Sequence, residues 1–237
     1  DTLYALLGKV TAWHVKPLDR IHRGYLDEQA RFDQGTTIAE LDLSVKSTEG
    51  RKRQGATPGY NPNHKGRDCY PWAVAFASGL VVWQRLYEGG TSGQGVVQTA
   101  LVALRRRMPH LSLLRLDGGC LAAKGLNRLT SQHVGCLTTA GTKRVSVRTL
   151  LGRTRAEPWQ SYAEDTRLCR WNRVPLLDDF RPPVTVVLVE CRRRVKERKK
   201  GRVCWKTRVF HYAIVTDQHP WPTAKVYATY KGGRSPV

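Results

Sequence analysis

Asp117 is the residue whose surroundings most clearly suit chemistry, because it closes a short apolar run within His110–Gly119. The run is typical of a buried strand, and the two glycines that follow the aspartate predict a turn. Ligands and metal ions bind at the carboxyl edge of the strands in open α/β sheets, so Asp117 is a candidate metal ligand. The alternative interpretation is a turn-forming aspartate that hydrogen-bonds its own backbone.

Asp42 is a second candidate ligand, because it interrupts the apolar pattern of the predicted strand Thr36–Ser47. Side chains alternate along a strand, so Asp42 and Ser44 share one face while the adjacent leucines point to the other. A carboxylate among apolar strand residues costs free energy unless it is paired or binds a cation. Asp42 therefore supplies the second carboxylate that a metal site at Asp117 requires.

The charge of the chain predicts a polyanionic partner. Its 237 residues include 40 Lys and Arg against 19 Asp and Glu, which gives a net charge of +21 and a pI near 10.2. Such an excess attracts nucleic acid, and a membrane surface is the weaker option because no basic amphipathic helix is evident. A basic surface without a specific partner is the alternative. No apolar run is long enough to cross a bilayer, so we expect a cytoplasmic protein without membrane contact.

Two basic segments are the predicted nucleic-acid contacts. The first is the polar, glycine-rich loop 49–68, whose cations would lie beside Asp42 if the strand leads directly into the loop (Arg51, Lys52, Arg53, Lys65, Arg67). The second is 192–208, which holds ten Lys or Arg against one acid and begins with Arg192, Arg193 and Arg194. Such runs are usually solvated hairpin tips or disordered loops, but one this one-sided is also typical of a segment that follows a phosphate backbone.

The order of the predicted elements indicates an α/β (α+β) fold with a mixed sheet flanked by helices. A helical lead-in (1–35) precedes a core (36–141) that runs strand, hairpin, helix, strand, helix, strand. This is also the order of the ribonuclease H fold, in which the first and fourth strands are neighbours, so the two aspartates would meet. Residues 142–222 predict a mainly β insertion or the strands of a continuing sheet, and 223–237 predict the start of a C-terminal helix.

Several segments resemble the core of bacterial insertion-sequence DDE transposases. The similarity is to insertion-sequence family thirteen-eighty, within a wider set that shares a tyrosine-arginine-glutamate signature. Its most specific part is the GYNP loop between two aspartate strands. The matching segments are LDLS (41–44), QGATPGYNPNHKGRD (54–68), RLYEGGTSGQG (85–95), LLRLDGG (113–119) and FHYAIVTD (210–217).

This resemblance implies a ribonuclease H-like catalytic core with an inserted β domain and a catalytic Asp, Asp, Glu set. Asp42 and Asp117 fall in the two aspartate motifs, where they would hold two divalent metal ions, Mg2+ or Mn2+. The implied reaction is cleavage of phosphodiester bonds at the element's ends, followed by strand transfer into target DNA. The implied partners are double-stranded DNA and a second copy of the chain on paired ends, and the implied location is the bacterial cytoplasm, at the nucleoid.

The sequence also departs from the family pattern. Ser44 stands where the first motif often has a second aspartate. Tyr230 and Arg234 resemble the C-terminal signature, with one residue more between them than usual, and are expected to position DNA or the third carboxylate. The glutamate of that signature would fall at or beyond Val237, so we expect a core truncated at both ends.

Three functions therefore stay open: a DNA transposase, a non-catalytic DNA-binding remnant of one, and a ribonuclease H-like nuclease that cuts without strand transfer. Glu190 and Glu164 are the internal candidates for a third carboxylate. Glu190 ends an apolar strand beside three arginines and Glu164 lies in a polar loop, so both better suit structural or solvent-exposed roles.

Overall fold

The computed structural model of this protein describes residues 17, 18, 20–22, 24, 25, 37–48, 56–59, 61, 64–140, 145–154, 158–175, 182–199 and 202–232. Within this part of the chain, one large mixed sheet carries helices on both faces. The described residues of the predicted helical lead-in are helical. None of the helices in these ranges is long and apolar enough to cross a membrane.

In the described ranges, ten strands form the sheet. Most follow the predicted apolar runs within a few residues, and the strands that carry the second basic segment are much longer than their apolar cores. They are β1 (Ile38–Ser47), β2 (Thr57–Pro58), β3 (Asp68–Ala77), β4 (Leu80–Leu86), β5 (Leu113–Leu116), β6 (Gly135–Ala140), β7 (Gln160–Ala163), β8 (Thr166–Val174), β9 (Val184–Lys199) and β10 (Arg202–Thr216).

The helices described beside these strands are α1 (Gly93–Arg107), α2 (Ala123–Ser131), α3 (Val145–Arg153) and α4 (Thr223–Gly232). Ser92 caps α1 by accepting a hydrogen bond from the amide of Gly95, and three arginines in its last turn suit the negative end of the helix dipole. α1 and α2 are the crossovers that two parallel strand pairs require.

The centre of the sheet has the strand order β4, β3, β1, β5, β6. β1 and β3 pair antiparallel, as do β3 and β4, whereas β5 pairs parallel with both β1 and β6. This is the strand order of the ribonuclease H fold, so the predicted fold class is confirmed. The first and fourth strands of the core are neighbours, as the sequence predicts.

The predicted hairpin between β3 and β4 turns at Ser78 and Gly79. Both residues have positive φ, at 49° and 79°. Two successive positive φ values in a two-residue connection match the type I′ turn, whose twist suits antiparallel strands. Glycine adopts this conformation without strain, which explains why the two β-rich runs are separated at that position.

The described residues of the segment 142–222 extend the sheet of the core. They include α3 and the strands β7 to β10, and β10 pairs antiparallel with β6 through residues 213–216. β9, β8 and β7 follow outward in that order. The described strands of this segment are therefore hydrogen-bonded into the same sheet as the core, and the predicted division into domains stays a prediction.

The outer halves of β9 and β10 form a two-stranded ribbon. β9 pairs with β8 only up to Cys191, and β10 pairs with β6 only from Ala213. Beyond these limits the described residues of β9 and β10 pair with each other, as far as Lys199 and Arg202. We call residues 192–199 and 202–208 the basic ribbon.

The hydrophobic core has two parts on opposite faces of the sheet. The larger part packs α1, α2 and α3 against the face of β1 that bears Ala39 and Leu41. The smaller part packs Val226 and Tyr230 of α4 against Leu113 and Leu137. Because alternate residues of β1 and β5 face opposite sides, both aspartates lie on the face that carries α4.

Gly89 packs closely against the paired strands β2 and β3, and a substitution there tests this contact. A Cβ at Gly89 would lie 1.9 Å from the carbonyl oxygen of Thr57 and 2.6 Å from that of Cys69. Because both are backbone atoms of paired strands, we expect Gly89→Ala to lower the free energy of unfolding by roughly 3 kcal/mol. Urea denaturation measures this difference.

Gly90→Ala is the matched control. Its Cβ would meet only the Thr57 hydroxyl oxygen, at 3.9 Å. We expect a change within about 0.5 kcal/mol. Equal losses in the two variants would contradict the close approach at Gly89.

Candidate functional site

Asp42 and Asp117 are brought together by the pairing of β1 with β5. Leu41 and Leu116 are partners in the parallel register, and each aspartate is the next residue in its strand direction. Both carboxylates are exposed. The two aspartates are therefore neighbours, as the sequence predicts. We call Asp42 and Asp117 the acidic pair, which is exposed on the α4 face of the sheet.

Each aspartate has a weak hydrogen bond to a neighbour in the chain. The Ser44 hydroxyl donates to Asp42 Oδ2 over 3.4 Å, and the amide of Gly119 donates to Asp117 Oδ2 over 3.3 Å. Asp117 thus acts as the turn former of the alternative interpretation, at the start of the 3₁₀ turn Gly118–Cys120. Because each contact engages one oxygen, the other oxygen of each carboxylate keeps its capacity to bind a cation.

The buried thiol of Cys120 lies close enough to the acidic pair for the two negative charges to affect its pKa. Burial raises the pKa of this thiol, and the negative charges of Asp117 and Asp42 raise it further, to about 12. The thiol is therefore protonated at neutral pH and is no nucleophile. Both carboxylates act on the same buried atom, which agrees with their adjacent positions in the register.

Glycines hold the turn after Asp117 against the sheet and against α1. A Cβ at Gly118 would lie 2.8 Å from the Thr139 hydroxyl oxygen and 3.0 Å from its carbonyl oxygen. A Cβ at Gly93, at the start of α1, would lie 2.9 Å from the carbonyl oxygen of Gly119. The sequence pattern Asp-Gly-Gly is thus needed for close packing as well as for the turn.

Arg115 connects the acidic pair to α4. It is 6% exposed, forms an ion pair with Glu40 on β1, and donates hydrogen bonds of 3.0 Å to the carbonyl oxygens of Thr229 and Tyr230. These carbonyls belong to the last turn of α4, where backbone acceptors lack partners within the helix. Arg115 therefore ties β1, β5 and the end of α4 together next to Asp117.

Sequence reasoning did not select Arg115, although a signal was present. It is a charged residue inside the apolar run that ends at Asp117, and such a residue needs a partner when buried. Glu40 lies two residues before Asp42 and therefore on the same face. The parallel register that pairs Glu40 with Arg115 is visible only in the fold.

Tyr230 lies in the core, at 3% exposure, and not on the surface where DNA would contact it. Its hydroxyl is 3.5 Å from the Thr139 hydroxyl oxygen. In this position it packs α4 against the sheet. Its predicted role in positioning the site stays a prediction, and Arg234 lies outside the described residues.

A third metal ligand is not found among the described residues. No group of three or more His, Cys, Asp or Glu side chains in these ranges is arranged to hold an ion. Glu40, the nearest acid along β1, is engaged by Arg115. The acidic pair and Ser44 are thus the oxygen donors that the described part of the site provides.

Glu190 is held elsewhere by its own partners. Arg167 Nε donates to its Oε1 over 3.0 Å, and His211 Nε2 lies 3.2 Å from its Oε2. Burial alone would raise the pKa of Glu190, but the hydrogen bonds from Arg167 and His211 outweigh it and hold this pKa below its usual value. Three strands, β5, β6 and β10, separate β9 from β1, so Glu190 is a structural acid, and Glu164 is exposed.

Asn61, within the GYNP segment, is hydrogen-bonded to the far end of β1. Asn61 is 5% exposed, its side-chain amide donates to Ser47 Oγ over 2.9 Å, and its Oδ1 accepts from the amide of His64. Lys65 and Arg67 are exposed. Ser47 is five residues beyond Asp42, or about 17 Å along the strand, so these two cations lie farther from the aspartate than the sequence suggests. Residues 51–53 of the loop lie outside the described residues.

The basic ribbon exposes Arg192, Arg193 and Arg194 as predicted candidates for DNA contact. Its other strand exposes an aromatic side chain that sequence reasoning did not select, Trp205, at 61% exposure. The Arg194 guanidinium lies 5.9 Å from the centroid of this ring. A two-stranded ribbon with this combination fits a nucleic-acid groove better than a purely solvated tip.

The strand order and the paired aspartates define a ribonuclease H-like α/β domain. No protein-family model and no curated protein sequence matches the chain.

The solved structures to which the chain shows similarity include three transposase structures. A piggyBac transposase synaptic complex with hairpin DNA is 14% identical, with a TM-score of 0.47, over 83% of this chain and 38% of that one. The catalytic domain of Mos1 mariner transposase is 14% identical, with a TM-score of 0.32, over 65% and 78%. A Mos1 paired-end complex with Mn is 13% identical, with a TM-score of 0.31, over 62% and 50%. The chain thus spans less than half of the piggyBac chain.

Arg115→Ala tests the connection between the acidic pair and α4. The change leaves Glu40 without its partner and removes both donors from the end of α4. We expect the free energy of unfolding to fall by about 3 kcal/mol, the scale of breaking a largely buried ion pair. Urea denaturation followed by circular dichroism measures it.

Arg128→Ala is the control, because Arg128 is exposed on α2. We expect a change within about 0.5 kcal/mol. A similar, small loss in both variants would show that Arg115 does not hold α4.

Proposed function

We propose that this chain is the catalytic core of a DNA transposase that cleaves and transfers phosphodiester bonds. The observation that carries the proposal is the acidic pair, held side by side by the β1 and β5 register on an open face of the sheet. The basic ribbon and the net charge of +21 support DNA as the partner. We further propose an insertion-sequence element as the origin, with element ends and target DNA bound by two copies of the chain at the bacterial nucleoid.

The donor set suits a hard divalent cation. Magnesium is commonly bound by one or two carboxylates together with waters and substrate phosphates, and Asp42 and Asp117 supply two exposed carboxylates. Mg2+ or Mn2+ held there would stabilise charge on a phosphate and activate an attacking oxygen. Two such ions, as the family resemblance implies, require a further carboxylate beyond the described donors.

The protein's own groups have separable tasks in this proposal. Asp42 and Asp117 would hold the cation, which would supply positive charge at the scissile phosphate, and the Ser44 hydroxyl orients Asp42. Arg115 keeps the end of α4 next to the pair and so acts as a positioning residue. The exposed arginines of the basic ribbon bind the phosphate backbone away from the reacting centre.

A non-catalytic DNA-binding protein is the second candidate. Two observations favour it: Ser44 stands where the family often has an aspartate, and the described residues offer no third acid at the pair. A hydroxyl is a far weaker metal ligand than a carboxylate. This candidate keeps the fold and the DNA contacts without the reaction.

Nicking of a supercoiled plasmid tests the acidic pair. With Mg2+ or Mn2+, we expect the unaltered protein to nick the plasmid and the isosteric variants Asp42→Asn and Asp117→Asn to nick at least about 100-fold more slowly, because each loses a charge that binds the cation. Glu164→Gln, an exposed acid away from the pair, serves as the control and should nick at the unaltered rate.

The outcomes separate the candidates. Nicking that survives in both aspartate variants would contradict the proposed site. Binding of DNA without nicking by any version would establish the non-catalytic candidate. Nicking without joining of a pre-cut 3′-hydroxyl end to target DNA would indicate a nuclease in place of a transposase.

Salt dependence tests the basic ribbon. The triple variant Arg192→Ala, Arg193→Ala, Arg194→Ala should bind duplex DNA more weakly. The slope of log affinity against log salt should fall by about 2 to 3, because each phosphate contact contributes about 0.9 to it. Fluorescence anisotropy at several salt concentrations gives the slope.

A control with the same change in charge uses three exposed arginines on helices, Arg106, Arg128 and Arg148, all changed to alanine. Its slope should stay within about 1 of the unaltered protein's. Equal reductions of the slope in the two triple variants would mean that the arginines of the basic ribbon contribute no more to DNA binding than other exposed arginines.

A further inference from the structure

A groove lies on the same face of the sheet as the acidic pair, farther along β1. Its lining residues come from three adjacent strands, and it has a volume of about 450 Å³. We call these residues the tryptophan shelf: Lys46, Trp72, Gln84, Arg85 and Leu86.

The shelf is continuous with the acidic pair through the strand register. Trp72 is the partner of Ser44 on β1, and Leu86 on β4 is the partner of Trp72. Ser44 is two residues beyond Asp42, which is about 7 Å along the strand. Successive bases of a stacked DNA strand rise by about 3.4 Å. The indole therefore lies about two bases away from a phosphate bound at Asp42.

The shelf exposes apolar side chains to solvent. Leu86 is 54% exposed, and the ring of Trp72 is half-buried. β1 extends to Ser47, whereas its neighbour β5 ends at Leu116, just before the acidic pair. The strands beyond Asp42 thus form a platform that projects past the catalytic edge of the sheet.

The charge of the shelf selects an anionic occupant. The Lys46 ammonium lies 5.1 Å from the centroid of the Trp72 ring. The guanidinium of Arg85 lies over the Tyr87 ring, on the other face of the sheet. None of the lining residues is acidic. An aromatic face with a cation beside it is a combination that binds single-stranded nucleic acid, because a base stacks on the ring while the cation contacts the backbone.

We propose that the tryptophan shelf binds unpaired bases of the DNA strand adjacent to the reacting phosphate, with one base stacked on Trp72 and the phosphate next to it contacted by Lys46. This rests on the proposed function, since it takes DNA as the substrate of the acidic pair. It adds a second binding site, for a single strand, to the duplex contacts of the basic ribbon. A transposase core with this shelf holds an opened end of DNA at the site.

Binding of matched DNA ligands tests the shelf without any reaction. We would compare a 20-nucleotide single strand with a 20-base-pair duplex by fluorescence anisotropy in EDTA, for the unaltered protein, Trp72→Ala and Trp72→Phe. Trp72→Ala should lose about tenfold in single-strand affinity, the scale of one stacked base, and Trp72→Phe should retain most of it. Duplex affinity should be the same in all three, which also shows that the variants are folded.

Trp221→Ala is the control, because Lys225 lies 4.4 Å from the centroid of that ring in a similar cation–π pair away from the shelf. Its single-strand affinity should equal that of the unaltered protein. Unchanged single-strand affinity in Trp72→Ala, with duplex binding intact, would overturn the shelf and leave the proposed function standing. Failure of the unaltered protein to bind either DNA would overturn both.

A second measurement is independent of variants. A single strand that carries 5-bromouracil should form a photochemical cross-link to the peptide that contains Trp72 in the unaltered protein. Cross-links confined to other peptides would contradict the proposal.

Discussion

The parallel pairing of β1 with β5 is the constraint on which the rest of this structure depends. It sets Leu41 opposite Leu116, and so makes Asp42 and Asp117 neighbours although they are far apart in the chain. A slip of one residue in either strand would turn a carboxylate toward the buried face, where α1 packs, at a large cost in free energy. The apolar residues of both strands therefore fix the place of the two polar ones.

The same register also determines how the C-terminal helix is attached. Glu40 and Arg115 form a pair two residues before the two aspartates, and Arg115 then satisfies the last carbonyls of α4. A buried ion pair adds little stability by itself, but removal of one member is costly. Arg115 and Glu40 lie on the same two strands as the acidic pair, so the site and the attachment of α4 depend on the same strand pairing.

Acidic and basic groups are separated along this protein. Two exposed carboxylates stand at the centre of the sheet in a chain of net charge +21, and a dense basic run lies on a ribbon beyond the edge of the core pairing. The excess of positive charge attracts a polyanion, whereas the two neighbouring carboxylates of the acidic pair favour a cation. This separation suits a protein that binds a phosphate backbone over a wide area and acts on one phosphate.

The sequence by itself determined the order of the elements, the choice of Asp42 and Asp117, and the basic character of 192–208. Hydrophobic periodicity, glycine turns and charge are local properties of the sequence, so they can be recognised without knowledge of the fold. Only the tertiary structure decided that 142–222 continues the core sheet, that Tyr230 is buried, that Glu190 is engaged by Arg167 and His211, and that Lys65 and Arg67 lie far from Asp42. Each of these depends on strand pairing between distant segments, and the register of such pairs follows from packing on both faces of the sheet, which no local pattern records.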